Sequence, residues 1–189
     1  ITHEDVFKEP INMMRFFAVA DKHRLDYHPD ALRSLSRNLS LFKKAAREDS
    51  EINKLFVEIV ADSNDPENTL RYMNESGLLG RFMPEFRKIV SMMQFNMYHS
   101  YTVDEHLVRT VGVLADIEKG KIADEHPLVR VLIPIMPERT LLYITLLLHD
   151  IAKGRPEDHS IAGGKVARKL CPLFGFSTAQ TELCAWLIE

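Results

Sequence analysis

The residues of this sequence best suited to metal-dependent chemistry are three histidines and an aspartate in its second half. His149 and Asp150 form a doublet that directly follows an apolar stretch, with His106 before it and His159 after it. Neighbouring residues of a helix point about 100° apart, so the doublet can bind one ion only if other elements close around it. An imidazole and a carboxylate together suit a divalent ion such as Mn, Fe, Zn or Mg. The pattern therefore predicts a metal site with further ligands from elsewhere in the chain.

Each of these residues also has an ordinary structural interpretation. A His-Asp pair at a helix end is often a capping interaction, with the histidine near the negative end of the helix dipole. His106 and His159 could equally be surface histidines in the first turn of a helix. A charged imidazole is unfavourable at a helix start, whereas a neutral, metal-bound imidazole avoids that cost, which favours His106 as a ligand. His159 lies nine positions after Asp150, and a loop of that length can fold back over the doublet.

Two cations follow the doublet, and either could hold a phosphate beside a metal site. Lys153 supplies a point charge, and Arg155 can bind a phosphate with two parallel hydrogen bonds. A solvated loop charge is the more ordinary role for Arg155. His99, together with Tyr98 and Tyr101, precedes the His106 helix and is either structural or substrate-facing.

Composition narrows the classes of protein that this chain can represent. Its 189 residues are 46% hydrophobic and 27% charged, which is typical of a folded globular chain, and its net charge is −3. A weakly acidic chain lacks the basic face that non-specific nucleic-acid binding needs, so we expect no nucleic-acid partner. The longest apolar run, residues 141–148, is too short to span a bilayer, so we expect no membrane insertion. Cys171 and Cys184 form no CxxC pair, so we expect no disulfide and a reducing, cytoplasmic setting. Both cysteines lie in apolar stretches, which predicts buried thiols.

Helical periodicity dominates the chain and predicts an all-α fold of roughly ten helices. Start signals occur at Asp65-Pro66 and His28-Pro29, and the capping-box pattern recurs at residues 102–105 and 177–180. No segment alternates apolar and polar residues as a strand would. A soft boundary near residues 77–84 divides a helical linker, residues 1–78, from the histidine-containing domain, residues 79–189. The proline-rich stretch 122–137 is predicted to join the His106 helix to an apolar helix over residues 141–148.

The order His106, His149-Asp150, His159 resembles the HD phosphohydrolase superfamily. Its most specific phrase is residues 147–154, Leu-Leu-His-Asp-Ile-Ala-Lys-Gly. Residues 73–80, 83–86, 98–106 and 154–160 carry a closer resemblance, to the central region of the bacterial bifunctional uridylyltransferase/uridylyl-removing enzymes. The resemblance covers most of the chain and is strongest after about residue 65.

That resemblance implies a fold, a reaction and a set of roles. The fold would be an HD-domain helical bundle preceded by a helical linker region. The reaction would be hydrolysis of UMP from a uridylylated tyrosine of PII, a nitrogen-signalling protein, with UMP as the product. His106, His149 and Asp150 would bind one divalent ion, Mg or Mn before Fe or Zn. Asp150 would bridge to a second ion that His159 also binds, and Lys153 would stabilise charge on the phosphoryl oxygens.

The same resemblance implies partners outside this chain and leaves two alternatives open. In this family an N-terminal nucleotidyltransferase domain adds UMP to PII, and C-terminal ACT domains sense glutamine. The chain begins at Ile1 and stops at Glu189 within a helical pattern, so we expect a fragment whose remaining HD ligands follow Glu189. One alternative is an HD enzyme that acts on free nucleotides or cyclic dinucleotides. The other is a helical regulatory module with a vestigial site.

Overall fold

The computed structural model describes residues 5–93, 101–122 and 125–189. Within those ranges the chain is helical and contains no β-strand, which confirms the predicted all-α fold. Its α-helices are α1 (Pro10–Lys22), α2 (Pro29–Asn38), α3 (Lys44–Arg47), α4 (Ser50–Asp62), α5 (Pro66–Glu75), α6 (Leu78–Phe82), α7 (Pro84–Arg87), α8 (Val103–Glu118), α9 (Pro127–Leu132), α10 (Arg139–Leu148), α11 (His159–Leu170) and α12 (Thr178–Ile188). Short 3-10 turns lie at Val6–Lys8, Leu39–Leu41 and Ile133–Ile135.

Local start signals place most of the helix ends. The Asp65 side chain accepts a hydrogen bond from the backbone N–H of Asn68, and proline opens α5. Ser177 and Gln180 form the predicted capping box at the start of α12. The other predicted box, at Thr102, is wrong: the Thr102 side chain makes no capping hydrogen bond. Glu105, its expected partner, instead accepts hydrogen bonds from a distant arginine on α5 that is described below.

Helix α10 lies at the centre of the helical bundle, as its nearly continuous apolar sequence predicts. It packs against α4, α8, α11 and α12, and Leu147 and Leu148 are fully buried. The connection before it contains α9 and a 3-10 turn, in agreement with the predicted loop and short helix. None of the helices in the described ranges is both long and apolar enough to cross a membrane.

One hydrophobic core runs from the first helices to the last. Aromatic rings join its two ends: the Phe56 ring lies 4.6 Å from that of Phe82 and 5.4 Å from that of Phe174, measured between centroids. Phe56 and Phe82 belong to α4 and α6, whereas Phe174 follows α11. The early helices and the histidine-bearing helices therefore share buried surface.

Candidate metal centre

Three of the predicted ligands, His106, His149 and Asp150, come together at one end of the α8–α10 pair. The two Nε2 atoms lie 3.2 Å apart, and Asp150 Oδ2 lies 3.8 Å from His106 Nε2 and 3.6 Å from His149 Nε2. Among the described residues, these three form the group whose ligand atoms all lie within 4.8 Å of one another. The structure therefore brings together residues that are 43 positions apart in the chain.

Antiparallel packing of α8 and α10 produces this meeting. The end of α8 and the start of α10 are joined by Arg139, whose guanidinium donates to Glu118. At the opposite end of the pair, His106 lies in the first turn of α8 and His149 caps the C-terminus of α10. A helix start facing a helix end thus places the two imidazoles side by side.

The hydrogen bonding of His149 fixes which ring nitrogen carries its proton. Its Nδ1 lies 2.7 Å from the backbone carbonyl oxygen of Leu146. A carbonyl oxygen can only accept, so Nδ1 donates, and in the neutral ring Nε2 carries the lone pair. Leu146 lies in the last turn of α10, where carbonyls lack helical partners. The helix end therefore orients the ring with its basic nitrogen toward His106 and Asp150, as metal-binding histidines require.

The donor set fits a divalent ion. Two nitrogens bound to one ion at about 2.1 Å are roughly 3.0 Å apart at a right angle and roughly 3.4 Å apart at a tetrahedral angle. The observed separation of the two Nε2 atoms, 3.2 Å, lies between those values. Two imidazoles and a carboxylate are also ligands that Mn, Fe and Zn accept.

Lys153 supplies a positive charge to the buried carboxylate of this cluster. Its Nζ lies 2.6 Å from Asp150 Oδ2, and the Asp150 side chain is only 10% exposed. A carboxylate buried to that extent needs a charged or hydrogen-bonding partner. The Lys153 side chain is itself 21% exposed, so part of this cation remains accessible to solvent while its ammonium pairs with the carboxylate.

The other sequence candidates lie apart from this cluster or beyond the described residues. His159 is the first residue of α11 and is exposed; it is not among the three clustered ligands, and its role as a ligand stays a prediction. Arg155 is partly buried in the loop before α11. His99 and Tyr98 fall outside the described residues.

Two residues of α5 that the sequence did not single out contact the acids directly before His106. Asn74 Nδ2 donates to Asp104 Oδ2 at 2.8 Å, and an Arg71 guanidinium nitrogen donates to Glu105 Oε1 at 2.6 Å. The hydrogen bond to Glu105 raises the pKa of Arg71, with burial opposing it. No local pattern could have revealed these pairs, because their members lie 30 and 34 positions apart.

Comparison with known families divides the chain between two matches. Residues 1–82 match the family described as the uridylyltransferase GlnD third domain, and residues 99–189 match the HD domain. Helix α5 falls within the first match, whereas the three clustered ligands and Lys153 fall within the second. The resemblance inferred from the sequence is confirmed, and only residues 83–98 lie outside both matches.

Proposed function

We propose that this chain hydrolyses UMP from a uridylylated tyrosine of the PII protein, because residues 1–82 match the uridylyltransferase GlnD third domain and residues 99–189 match the HD domain. The observation that supports this most directly is the cluster of His106, His149 and Asp150 within the HD match. Such a set would bind a divalent ion, and we propose Mg or Mn, the ions that the resemblance to the HD phosphohydrolases implies. The bond cleaved would be the phosphodiester between UMP and the tyrosine oxygen.

Each residue of the cluster has a defined task in this reaction. The two Nε2 atoms and Asp150 Oδ2 would hold the ion, and the carbonyl oxygen of Leu146 would keep the His149 ring in its ligand tautomer. A divalent ion bound there lowers the pKa of a water and polarises phosphoryl oxygens. Lys153, which pairs with Asp150, would lie where charge develops on those oxygens. The oxygen of water would bond to phosphorus as the bond from phosphorus to the tyrosine oxygen breaks. A proton of that water would pass to the tyrosine oxygen, so the products would be unmodified PII and UMP.

A second ion is part of the proposal. Asp150 and His159, the latter at the start of α11, would both help to hold this second ion. A two-metal site stabilises both the attacking and the leaving oxygen of a phosphoryl displacement. The number of Mn ions bound per chain tests this directly: His159→Ala should lower it from two to one. An unchanged number would remove His159 from the site.

The decisive experiment measures UMP release from uridylylated PII by the full-length protein in Mn or Mg. Asp150→Ala should abolish release while the far-UV circular dichroism stays helical, because the cluster loses its carboxylate. Asp116→Ala is the matched control: it removes a surface aspartate of α8 that pairs with Lys121, and it should leave release unchanged.

Assays with several substrates distinguish hydrolysis of modified PII from the nucleotide-hydrolysing activities of other HD enzymes. Free nucleotides and cyclic dinucleotides, offered under the same conditions, should not be hydrolysed by an enzyme specific for modified PII. Hydrolysis of free nucleotides in preference to modified PII would replace the proposed substrate with a nucleotide. Release that persists in Asp150→Ala would overturn the assignment of the cluster itself.

A further inference from the structure

We propose that Arg71 and Asn74 on α5 are positioning residues of the metal centre, which hold the first turn of α8 so that His106 Nε2 points at the ion. The inference rests on the function proposed above, since it gives the third-domain segment a part in the HD site. Neither residue belongs to the HD match, which begins at residue 99. Both contact residues directly before His106 rather than His106 itself.

Asn74 holds the buried acid of that first turn. Asp104 is only 5% exposed, and its two oxygens accept from Asn74 Nδ2 at 2.8 Å and from the backbone N–H of Ser91 at 3.1 Å. The backbone N–H of Val103 donates to the carbonyl oxygen of Met92 at 3.0 Å. A buried carboxylate is stable only with such partners. The start of α8 is therefore tied both to α5 and to the chain that follows α7.

Arg71 holds the second acid. Its guanidinium donates to Glu105 Oε1 at 2.6 Å and to Glu67 Oε1 at 2.7 Å, so one arginine spans α5 and α8. All three side chains are about one-third exposed or less. Solvent and salt therefore screen the attraction between these charges less than they would at an open surface. The planar guanidinium bonds in fixed directions, and this gives the contact geometric specificity as well as energy.

Close packing makes α5 and α8 one rigid pair. Gly112 of α8 faces Glu67, and a Cβ at that glycine would lie 2.7 Å from the Glu67 Cβ. The helices thus approach more closely than a side chain at position 112 would allow. Because Glu67 also bonds Arg71, the contacts from Asp104 to Gly112 form a continuous seam along the two helices.

The seam matters because the two histidines come from different helices. His149 lies at the end of α10, so its distance to His106 depends on where the start of α8 lies. Metal ligands must be placed to within about 0.2 Å of their ideal distances for tight binding. Arg71 and Asn74 hold the end of α8 that carries His106, whereas the contact between Arg139 and Glu118 lies at the opposite end of that helix.

The test is the affinity of the full-length protein for Mn, titrated by electron paramagnetic resonance without substrate. Arg71→Gln and Asn74→Leu should each weaken Mn binding about 10- to 100-fold, the range found when groups that orient metal ligands are removed. Arg71→Lys keeps the positive charge but lacks the planar guanidinium. It should therefore bind Mn more tightly than Arg71→Gln and more weakly than the unsubstituted protein. With Co in place of Mn, the visible absorption spectrum should change in both disruptive variants, which reports a displaced ligand.

Arg139→Gln is the matched control. It removes an arginine–glutamate contact from the same helix, α8, but at its opposite end, 13 residues after Glu105 and therefore about 20 Å away. This variant should lose stability and keep its affinity for Mn. Circular dichroism at the titration temperature identifies variants that are folded. If Arg71→Gln is not, Arg71→Lys takes its place and should still bind Mn more weakly than the unsubstituted protein, because it lacks the planar guanidinium.

Three results would overturn the inference. Unchanged Mn affinity and an unchanged Co spectrum in Arg71→Gln and Asn74→Leu would show that the α5 contacts do not act on His106. An equal loss of affinity in Arg139→Gln would show a general effect of instability. Failure of the unsubstituted protein to bind Mn would overturn the proposed metal centre as well, and the assay of UMP release distinguishes that failure from the first two.

Discussion

Lys153 brings a positive charge to within 2.6 Å of Asp150 Oδ2, and its side chain remains partly accessible to solvent. We predict that Lys153→Met lowers the rate of UMP release about 100-fold, because one group that stabilises transition-state charge is lost. Binding of Mn should persist, since His106, His149 and Asp150 remain. Initial rates at saturating Mn measure the effect.

The control for this prediction is Lys165→Met. Lys165 is an exposed lysine that pairs with Glu157 near the same loop, so its loss should leave the rate unchanged. A Lys153→Met variant with an unchanged rate would assign this lysine a structural role as the counter-charge of Asp150.

The two cysteines give a second prediction for individual residues. Cys171 and Cys184 are fully buried and free. The contact with Cys184 and the burial of the thiol raise the pKa of Cys171, and Thr145 Oγ1 lies 3.2 Å from the Cys184 sulfur. We expect no reaction with an aromatic disulfide reagent in the folded protein, because both thiols are fully buried and the reagent cannot reach them. Both thiols should react at once in denaturant; rapid reaction of the folded protein would contradict this.

For individual residues, the sequence singled out the three side chains that cluster and missed the side chains that contact the start of α8. The doublet and His106 could be found because residue type and order alone indicate metal chemistry. Buried, free thiols were also predicted correctly from the apolar residues around them. Arg71 and Asn74 could not be found, because polar residues on a helix are ordinary until a partner 34 or 30 positions away is known.

Among the helices, local signals predicted the ends well wherever the partner lies within one turn. Asp65 and Ser177 cap their helices as expected. Thr102 does not cap α8, and Glu105, the other half of the predicted box, pairs with Arg71 on another helix. Short helices such as α3, α6 and α7 were not separated in the sequence, since four or five residues show no periodicity. Roughly ten helices were expected, and the described residues contain twelve.

The close approach of α5 and α8 predicts whether replacing Gly112 by alanine raises or lowers the free energy of unfolding. Alanine ordinarily favours a helix over glycine by about 1 kcal/mol. At Gly112, however, the new Cβ would collide with Glu67, and overpacking of this kind costs about 1–3 kcal/mol. We therefore predict that Gly112→Ala lowers the free energy of unfolding, measured by urea denaturation. Stabilisation by the substitution would show that the two helices separate easily.

The contact between Arg139 of α10 and Glu118 of α8 predicts that the free energy of unfolding depends on pH. A hydrogen bond from Arg139 lowers the pKa of Glu118, with burial opposing it. A carboxyl whose pKa is lowered by folding adds stability above its unfolded pKa, near 4.5, and loses it as the pH falls through the folded value. Arg139→Gln should therefore lower the free energy of unfolding by about 1–3 kcal/mol at neutral pH.

Urea denaturation at several pH values checks that expectation. The difference between the unsubstituted protein and Arg139→Gln should shrink as the pH falls below about 4.5. Lys121→Gln, which removes an exposed partner of Asp116, serves as a control with a small effect. A difference for Arg139→Gln that stays constant down to acid pH would mean that Arg139 acts through packing alone.

For the whole molecule, the continuous core predicts that the two matched segments unfold together. Phe56 is fully buried and its ring contacts both Phe82 and Phe174. We predict that Phe56→Ala lowers the free energy of unfolding by about 3–5 kcal/mol. The same substitution should speed hydrogen exchange in α12 as well as in α4, because one cooperative unit contains both helices.

Hydrogen exchange followed by mass spectrometry resolves the helices separately. Leu128→Ala, at a residue that is 69% exposed, should leave exchange unchanged and serves as the control. Faster exchange confined to the early helices would divide the molecule into two units. The boundary predicted between residues 78 and 79 stays a prediction. The local sequence could not show how far a shared core extends, because the rings that meet in it come from distant parts of the chain.

The seam between α5 and α8 also limits how the two matched segments can be recombined with those of similar proteins. A chimera joined between the two matches, near residue 83, would pair α5 from one parent with α8 from another. Its metal centre would survive only where an arginine and an asparagine still face two acids, and where a glycine still admits the neighbouring helix. Joints placed before Pro66 would inherit the whole seam from one parent, so protein engineers should exchange the segments there.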